Sequence, residues 1–259
     1  MMATDAGMSL FISDSEGSPI RSNEFDSDCD AKGIKRQLDE GLVQKLIGVG
    51  RLGIKRYYQM LKAQPEVYRD ERFPWMETLA SEGVEEVEVS LDGDVVPRIE
   101  VRGVRSSVIY VGIPASFANE MYGEALEPFC QEVEWMPTGR LSVDCLPKGV
   151  GKQRVVDFLL NSGKVKRGHT LCLGDRPTGN DKGLTLWHTN GIPFVSVCEN
   201  QAQVPGELLD LHVGGNANGA ASFLQTLVDT MRKEAKADSP LSAALVQKWV
   251  EKLSISPCN

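Results

Sequence analysis

Leu171-Cys172-Leu173-Gly174-Asp175-Arg176-Pro177-Thr178-Gly179-Asn180-Asp181 is the stretch whose reading decides the fold of this chain. An apolar run of strand length stops at a glycine and delivers two carboxylates and an amide into a loop. In open α/β sheets ligands bind at the C-terminal ends of the strands, and hard oxygen donors gathered there suit magnesium. Taken alone, the same residues also fit a strand followed by an ordinary Gly-Asp turn, with Asn180 or Asp181 capping the next helix.

Working outward, the pattern around this stretch alternates. Helical spacing over 152–161, an apolar run at 170–173, a helix from Asn180, apolar runs at 194–197 and 211–213 and a helix over 220–236 predict a parallel, doubly wound sheet. An amphipathic helix follows from Pro240 to Leu253, with Ser239 as its N-cap and Pro240 at its first position. Upstream, Val84, Val87 and Val89, then Ile99, Val101, Val104, Val108 and Tyr110, alternate across the turn Asp92-Gly93-Asp94 and predict antiparallel strands. Residues 116–132 read as one helix, and 133–147 as two more strands around Pro137-Thr138-Gly139. Nearer the start, 9–12 reads as a strand ending in the acidic, turn-rich stretch 13–19, and the polar stretch 22–33 as a loop. Helical spacing over 35–45, a short apolar strand at 46–50 and a helix over 52–63 follow.

The expected fold class is therefore α/β, a doubly wound parallel Rossmann-like core with an inserted α+β cap built on an antiparallel sheet. The expected organisation is 1–83 as the first part of the core, 84–147 as the cap, 148–237 as the second part of the core and 238–259 as a C-terminal helix and tail.

The 259 residues, 41% of them hydrophobic, suffice for a core plus a smaller insert. A net charge of −8 and a pI near 5.1 argue against a nucleic-acid backbone or an anionic membrane surface as partner, since both need a basic face. A local basic cluster can still hold one phosphorylated small molecule. The six cysteines, Cys29, Cys130, Cys145, Cys172, Cys198 and Cys258, form no C-x-x-C pair and read as buried free thiols. The three histidines, His169, His188 and His212, lack partners at ligand spacing. No apolar run approaches the ~20 residues of a membrane span, and the N-terminus lacks a basic start followed by a long apolar stretch, so a cytoplasmic location is expected. Nothing in the pattern fixes an oligomeric state.

Two further segments carry chemistry. Pro147-Lys148-Gly149-Val150-Gly151-Lys152-Gln153 puts a lysine at a helix start behind a glycine turn, where its ammonium can reach a phosphate oxygen as a point charge. A solvated surface lysine is the plainer reading. Asp14-Ser15-Glu16-Gly17-Ser18 places two carboxylates at i, i+2 beyond a strand, so that one can attack phosphorus while the other handles protons. By itself it is also a common loop composition.

In this order the segments resemble the haloacid dehalogenase superfamily, whose pattern is an N-terminal Asp-x-Asp-Gly-Thr loop, a Ser/Thr strand end, a lysine and a late Gly-Asp…Asn-Asp loop. The run Gly139-Arg140-Leu141-Ser142-Val143-Asp144-Cys145-Leu146-Pro147-Lys148-Gly149-Val150-Gly151-Lys152 looks like the last cap strand running into the lysine in the capped subgroup (C2) that includes phosphomannomutases and trehalose- and sucrose-phosphate phosphatases. The resemblance implies that Asp14 is the nucleophile forming an aspartyl-phosphate, with Glu16 in the place of the acid/base aspartate and Ser18 touching phosphate. It implies that Lys152 neutralises the phosphoryl charge and that Asp14, Glu16, Asp175, Asn180 and Asp181 serve a magnesium ion. Arg140, Ser142 and Asp144 share one face of a strand and would read the substrate. Arg98 and Arg102 likewise share a face and could meet a sugar hydroxyl or a second phosphate, although a solvated sheet face is the plainer reading. Three departures stand out. Glu16 is one methylene longer than the usual aspartate, Leu46–Arg51 offers Arg51 and backbone amides in place of a hydroxyl, and the loop between Asp175 and Asp181 is lengthened. The expected activity is that of a magnesium-dependent phosphohydrolase acting on a sugar phosphate or similar metabolite. The alternatives are a phosphomannomutase-like mutase and a catalytically impaired phosphosugar-binding or regulatory protein.

Overall fold

Two units divide the chain, Met1–Val150 and Gly151–Asn259. The structure, a computed structural model, describes residues 2–4, 9–13, 19–69, 78–79, 82–91, 96–138, 141–234 and 240–254.

The first unit opens with β1 (Met2–Thr4), β2 (Ser9–Ser13) and β3 (Pro19–Arg21), an antiparallel sheet in that order. The predicted strand at 9–12 is therefore present. The predicted loop over 22–33 is instead a helix, α1 (Asn23–Ala31). Its start is fixed by Ser22, whose hydroxyl accepts from the Phe25 N–H at 3.3 Å. Phe25 and Cys29, one turn apart, are buried, while Asp26 and Asp28 pair with Arg21, Arg36 and Lys32. The acidic residues that suggest a loop are the outer face of an amphipathic helix.

A second correction concerns 35–63. One continuous helix, α2 (Glu40–Ala63), capped by the Asp39 carboxylate accepting from the Leu42 N–H at 2.8 Å, replaces the expected helix, strand, helix. Glycine in a helix interior is costly, and the run Gly48-Val49-Gly50 is what suggests a strand end. Packing gives the reason for two of these glycines. A Cβ on Gly50 would lie 2.6 Å from the Tyr110 ring, and one on Gly53 would lie 2.1 Å from the Tyr122 ring. The bare backbone lets both rings press against the helix, with their centroids 4.8 Å apart, and the Tyr110 hydroxyl donates to the Leu46 carbonyl at 2.9 Å.

After a short turn of helix, α3 (Pro65–Tyr68), come β4 (Ser90–Leu91), β5 (Arg98–Arg102), β6 (Ser107–Val111), α4 (Ala118–Leu126), β7 (Val133–Thr138) and β8 (Ser142–Pro147). The strands form one sheet in the order β4-β5-β6-β8-β7. β5, β6, β8 and β7 are antiparallel neighbours, as the alternation predicts. β4 departs from it, being short and parallel to β5. The Val84 carbonyl accepts from the Tyr58 hydroxyl at 2.7 Å and the Lys62 ammonium at 3.0 Å, so it is bound to α2 side chains. The predicted turn Asp92-Gly93-Asp94 lies outside the described residues. The order α2-β5-β6 then α4-β7-β8 is two helix-strand-strand passes joined antiparallel through β6 and β8. Leu46, Ile54 and Tyr57 of α2 and Tyr122 of α4 share one core with Ile99, Tyr110, Val143 and Cys145 of the sheet.

The second unit contains α5 (Lys152–Asn161), β9 (Cys172–Gly174), α6 (Lys182–Thr185), β10 (Phe194–Ser196), α7 (Asn216–Glu234) and α8 (Ala243–Ser254). β9 and β10 are parallel, Cys172 facing Phe194, and Ser196 bridges in parallel to His212. Successive residues of β10 enter different cores: Phe194 packs with Cys172, Leu184 and Leu208, and Val195 with Phe223, Val246 and Trp249. A strand buried on both faces by helices is the doubly wound pattern, and the α/β class holds. The expected strand at 211–213 is reduced to that single bridge. The last helix begins after Ser242, whose hydroxyl accepts from the Leu245 N–H at 3.2 Å; Ser239 lies outside the described residues.

Cys29, Cys130, Cys145, Cys172 and Cys198 are free thiols, all buried except Cys130. Among the described residues no helix is long and apolar enough to cross a membrane.

The glycines of α2 separate packing from propensity. Gly53→Ala should destabilise the protein by about 1–3 kcal/mol through overpacking. Gly48→Ala, whose added Cβ meets nothing within 4 Å, should stabilise it by about 0.5–1 kcal/mol. Urea unfolding of the two variants measures both signs, and a stabilised Gly53→Ala would show that the tyrosine ring moves aside at no cost.

Candidate functional site

The second unit gathers Lys152, Asp175, Asn180 and Asp181 around the C-terminal end of β9. Gly151, with a φ of 137° that L side chains rarely adopt, ends the preceding turn and makes Lys152 the first residue of α5. A cation at a helix N-terminus is unfavourable by about 0.3–1 kcal/mol. What offsets it is Asp181, whose Oδ1 lies 2.5 Å from the Lys152 ammonium.

Asp181 is 1% exposed, and both of its carboxylate oxygens are engaged. Oδ2 accepts from the Arg176 backbone N–H at 2.9 Å, while the Asp181 N–H donates to the Arg176 carbonyl at 3.1 Å. The loop 175–181 is thus closed on itself by one residue. Gly174 makes room for it, since a Cβ there would stand 2.3 Å from Asp181 Oδ2. Beneath the loop, burial and then the nearby Asp181 charge push the Cys172 thiol up to about 11, which keeps it protonated and inert.

Asp175 is exposed at the strand end, with its Oδ2 3.8 Å from the Arg176 Nε. Asn180 Oδ1 is buried, and no described group donates to it. An exposed carboxylate and an orphaned amide oxygen are hard donors of the kind magnesium takes, so Asp175 and Asn180 fit the ion. Asp181, with both oxygens already bonded, is the partner of Lys152. Among the described residues no set of three His, Cys, Asp or Glu side chains is placed to hold a metal. Asp14, Glu16 and Ser18 lie outside the described residues.

The predicted substrate-reading residues fall in the first unit. Arg140 lies outside the described residues, and Arg51 is an exposed residue in the interior of α2. Ser142 and Asp144 share one face of β8 and are tied together through Thr138, whose hydroxyl donates to Asp144 Oδ1 at 2.7 Å and lies 3.1 Å from the Ser142 hydroxyl. Burial raises the Asp144 pKa above the usual carboxylate range, against the lowering effects of the Thr138 hydroxyl and Arg102. The strand register sets Glu100 in the same row as Asp144, across Ile109. Glu100 binds Arg98 at 2.7 Å and Arg102 at 3.0 Å. Burial pushes the Glu100 carboxyl up, but these two guanidinium partners outweigh it and hold its pKa below the usual range. Both arginines are therefore paired within their own strand, to one shared carboxylate. Sequence reading singled out the arginines and missed Thr138 and Glu100, although period-two alternation in Arg98-Ile99-Glu100-Val101-Arg102 already puts Glu100 on their face.

No family model matches the sequence, and no curated protein matches it. Solved structures do. The chain is similar in structure to a haloacid dehalogenase-like hydrolase. That protein, from B. subtilis, is 12% identical over 85% of this chain and 76% of its own, with a TM-score of 0.38. A protein from Eubacterium rectale designated a candidate phosphatase is 16% identical over 60% of this chain, with a TM-score of 0.34, and the match spans about half of its length (54%).

Two substitutions test the geometry. Asp181→Asn keeps the shape but removes the charge that holds Lys152, and should cost about 1–3 kcal/mol of unfolding free energy; Gly174→Ala should cost a similar amount, and wild-type stability in both would deny the carboxylate its anchoring role. For Asp144 the folded pKa is raised, so its contribution to stability is full below the unfolded value of about 4 and is lost as pH rises through the folded value. Asp144→Asn should therefore gain on the wild type as pH increases from 3 to 7, as followed by urea unfolding at each pH; a pH-independent difference would contradict the shift.

Proposed function

We propose that the chain is a phosphohydrolase of the haloacid dehalogenase type, dependent on magnesium, acting on a sugar phosphate or similar phosphorylated metabolite. The observation that carries this reading is the Lys152–Asp181 pair at the end of a parallel strand, 2.5 Å long and closed over by the loop that presents Asp175. A lysine locked in place by a buried carboxylate is a preorganised positive charge. Fixed charge aimed at a transferring phosphoryl group is the main demand of that chemistry.

In this reading Asp175 and Asn180 would hold a magnesium ion, with Asp14 and Glu16 as further ligands by the resemblance, and the ion would supply further neutralisation of phosphate charge. Asp14 attacks phosphorus, the ester oxygen leaves with a proton from Glu16, and water then hydrolyses the aspartyl-phosphate with Glu16 as base. Lys152 would hold a nonbridging phosphate oxygen. The roles of Asp14 and Glu16 rest on the resemblance of Asp14-Ser15-Glu16-Gly17-Ser18 to the family's first motif.

Phosphate release from a panel of sugar phosphates, with and without magnesium, measures the activity directly. Asp14→Asn should lower kcat by at least ~10³-fold, the scale on which loss of a nucleophile acts, and Lys152→Ala should fall by a comparable factor. Equal turnover in wild type and Asp14→Asn would remove Asp14 from the mechanism.

A further inference from the structure

We propose that α7 packs against α7 of a second copy of this chain, antiparallel and across a two-fold axis, through the exposed apolar stripe Ala221, Leu224, Val228 and Met231. The helix is 19 residues long and carries two lines of side chains with the same alternation of three- and four-residue steps. One line, Phe223, Leu227 and Thr230, faces the core of its own unit: Phe223 and Thr230 are buried, and Leu227 packs against the cluster around Trp249. The other, from Ala217 through Ala221 to Met231, is exposed along its whole length, with Leu224 47%, Val228 40% and Met231 43% exposed. In sequence the two lines look alike; burial tells them apart. Single exposed apolar residues are ordinary on a protein surface, but three large ones in one row mark a contact surface. An average step of 3.5 residues is the seam of two helices packed side by side.

The stripe fits a copy of itself best when reversed. Turned about its midpoint at Thr226, it sets Leu224 against Val228 of the second copy and Ala221 against its Met231, so that the longest side chain meets the smallest. A parallel pair would stack Met231 on Met231 and Ala221 on Ala221, and would bring Arg232 and Lys233 of both copies side by side. In the antiparallel pair those cations fall instead at the N-terminal end of the facing helix. There the Asn216 side chain donates to Glu199 Oε2 at 3.3 Å and holds a carboxylate beside the helix start. Opposite charges thus meet at each end of the seam and fix its direction. The two-fold axis repeats every contact, so one short stripe supplies four apolar layers and two charged ends.

Sedimentation velocity of the full chain over about 1–200 µM, the range in which an interface below the standard size associates, should show the mass rise from monomer to dimer. Val228→Glu and Leu224→Lys each put a charge into the seam and should weaken the dimer at least about tenfold. Both positions are well exposed in the single chain, so helicity and thermal midpoint at the lowest concentration should match the wild type. Mixed one to one, the two variants should associate more tightly than either does alone. The antiparallel register sets the new ammonium against the new carboxylate and leaves the other Leu224–Val228 layer intact. A wild type that stays monomeric throughout would overturn the proposal and leave the stripe to an unlike partner. A dimer unchanged by both substitutions would overturn it by placing the contact elsewhere, and a mixture no tighter than its components would overturn the antiparallel pairing.

Discussion

The Asp181 carboxylate is the constraint on which the candidate site depends. A buried charge is tolerated only when it is paired and hydrogen-bonded, and here the pairing organises everything around it. One oxygen takes the Lys152 ammonium and so fixes the first turn of α5; the other takes the Arg176 amide and so shapes the loop that presents Asp175. The bare backbone of Gly174 makes the arrangement sterically possible. Local preference is set aside at Lys152, a cation at a helix N-terminus, and such departures concentrate at functional positions.

The first unit is organised by a different close approach. Gly50 and Gly53 bring Tyr110 and Tyr122 against the backbone of α2, and the sheet, α2 and α4 are welded into one core. Burial holds the Tyr110 and Tyr122 hydroxyls and the Cys145 thiol in their neutral forms, the thiol reaching about 12. The opposite face of the same sheet is polar. Its two arginines are spent on Glu100, and its hydroxyls converge on Asp144.

Much of the site was legible because its signals are local. A strand ending in Gly-Asp, a lysine at a helix start and a late Asn-Asp pair can each be seen within a few residues. Less legible was the work each does. Asp181 reads from sequence as a metal residue, yet its two oxygens are committed to Lys152 and Arg176, partners that only folding brings together. Glu100 went unnoticed because it stands between two arginines that attract attention first. Leu46–Arg51 reads as the end of a strand because Gly48 and Gly50 fall close together, and the packing that calls for Gly50, the ring of Tyr110, is distant in the chain.

The sequence by itself determined the α/β class, the antiparallel strands from 98 to 147 and the net negative charge, since these follow from hydrophobic periodicity and composition, which are properties of short windows and of sums. Only the tertiary structure decided that 40–63 is one helix, that 23–31 is a helix at all, and that a single buried carboxylate holds both the lysine and the loop. Those features depend on side chains far apart in the chain, Gly53 with Tyr122 and Lys152 with Asp181, whose contacts outweigh local preference once the core has formed.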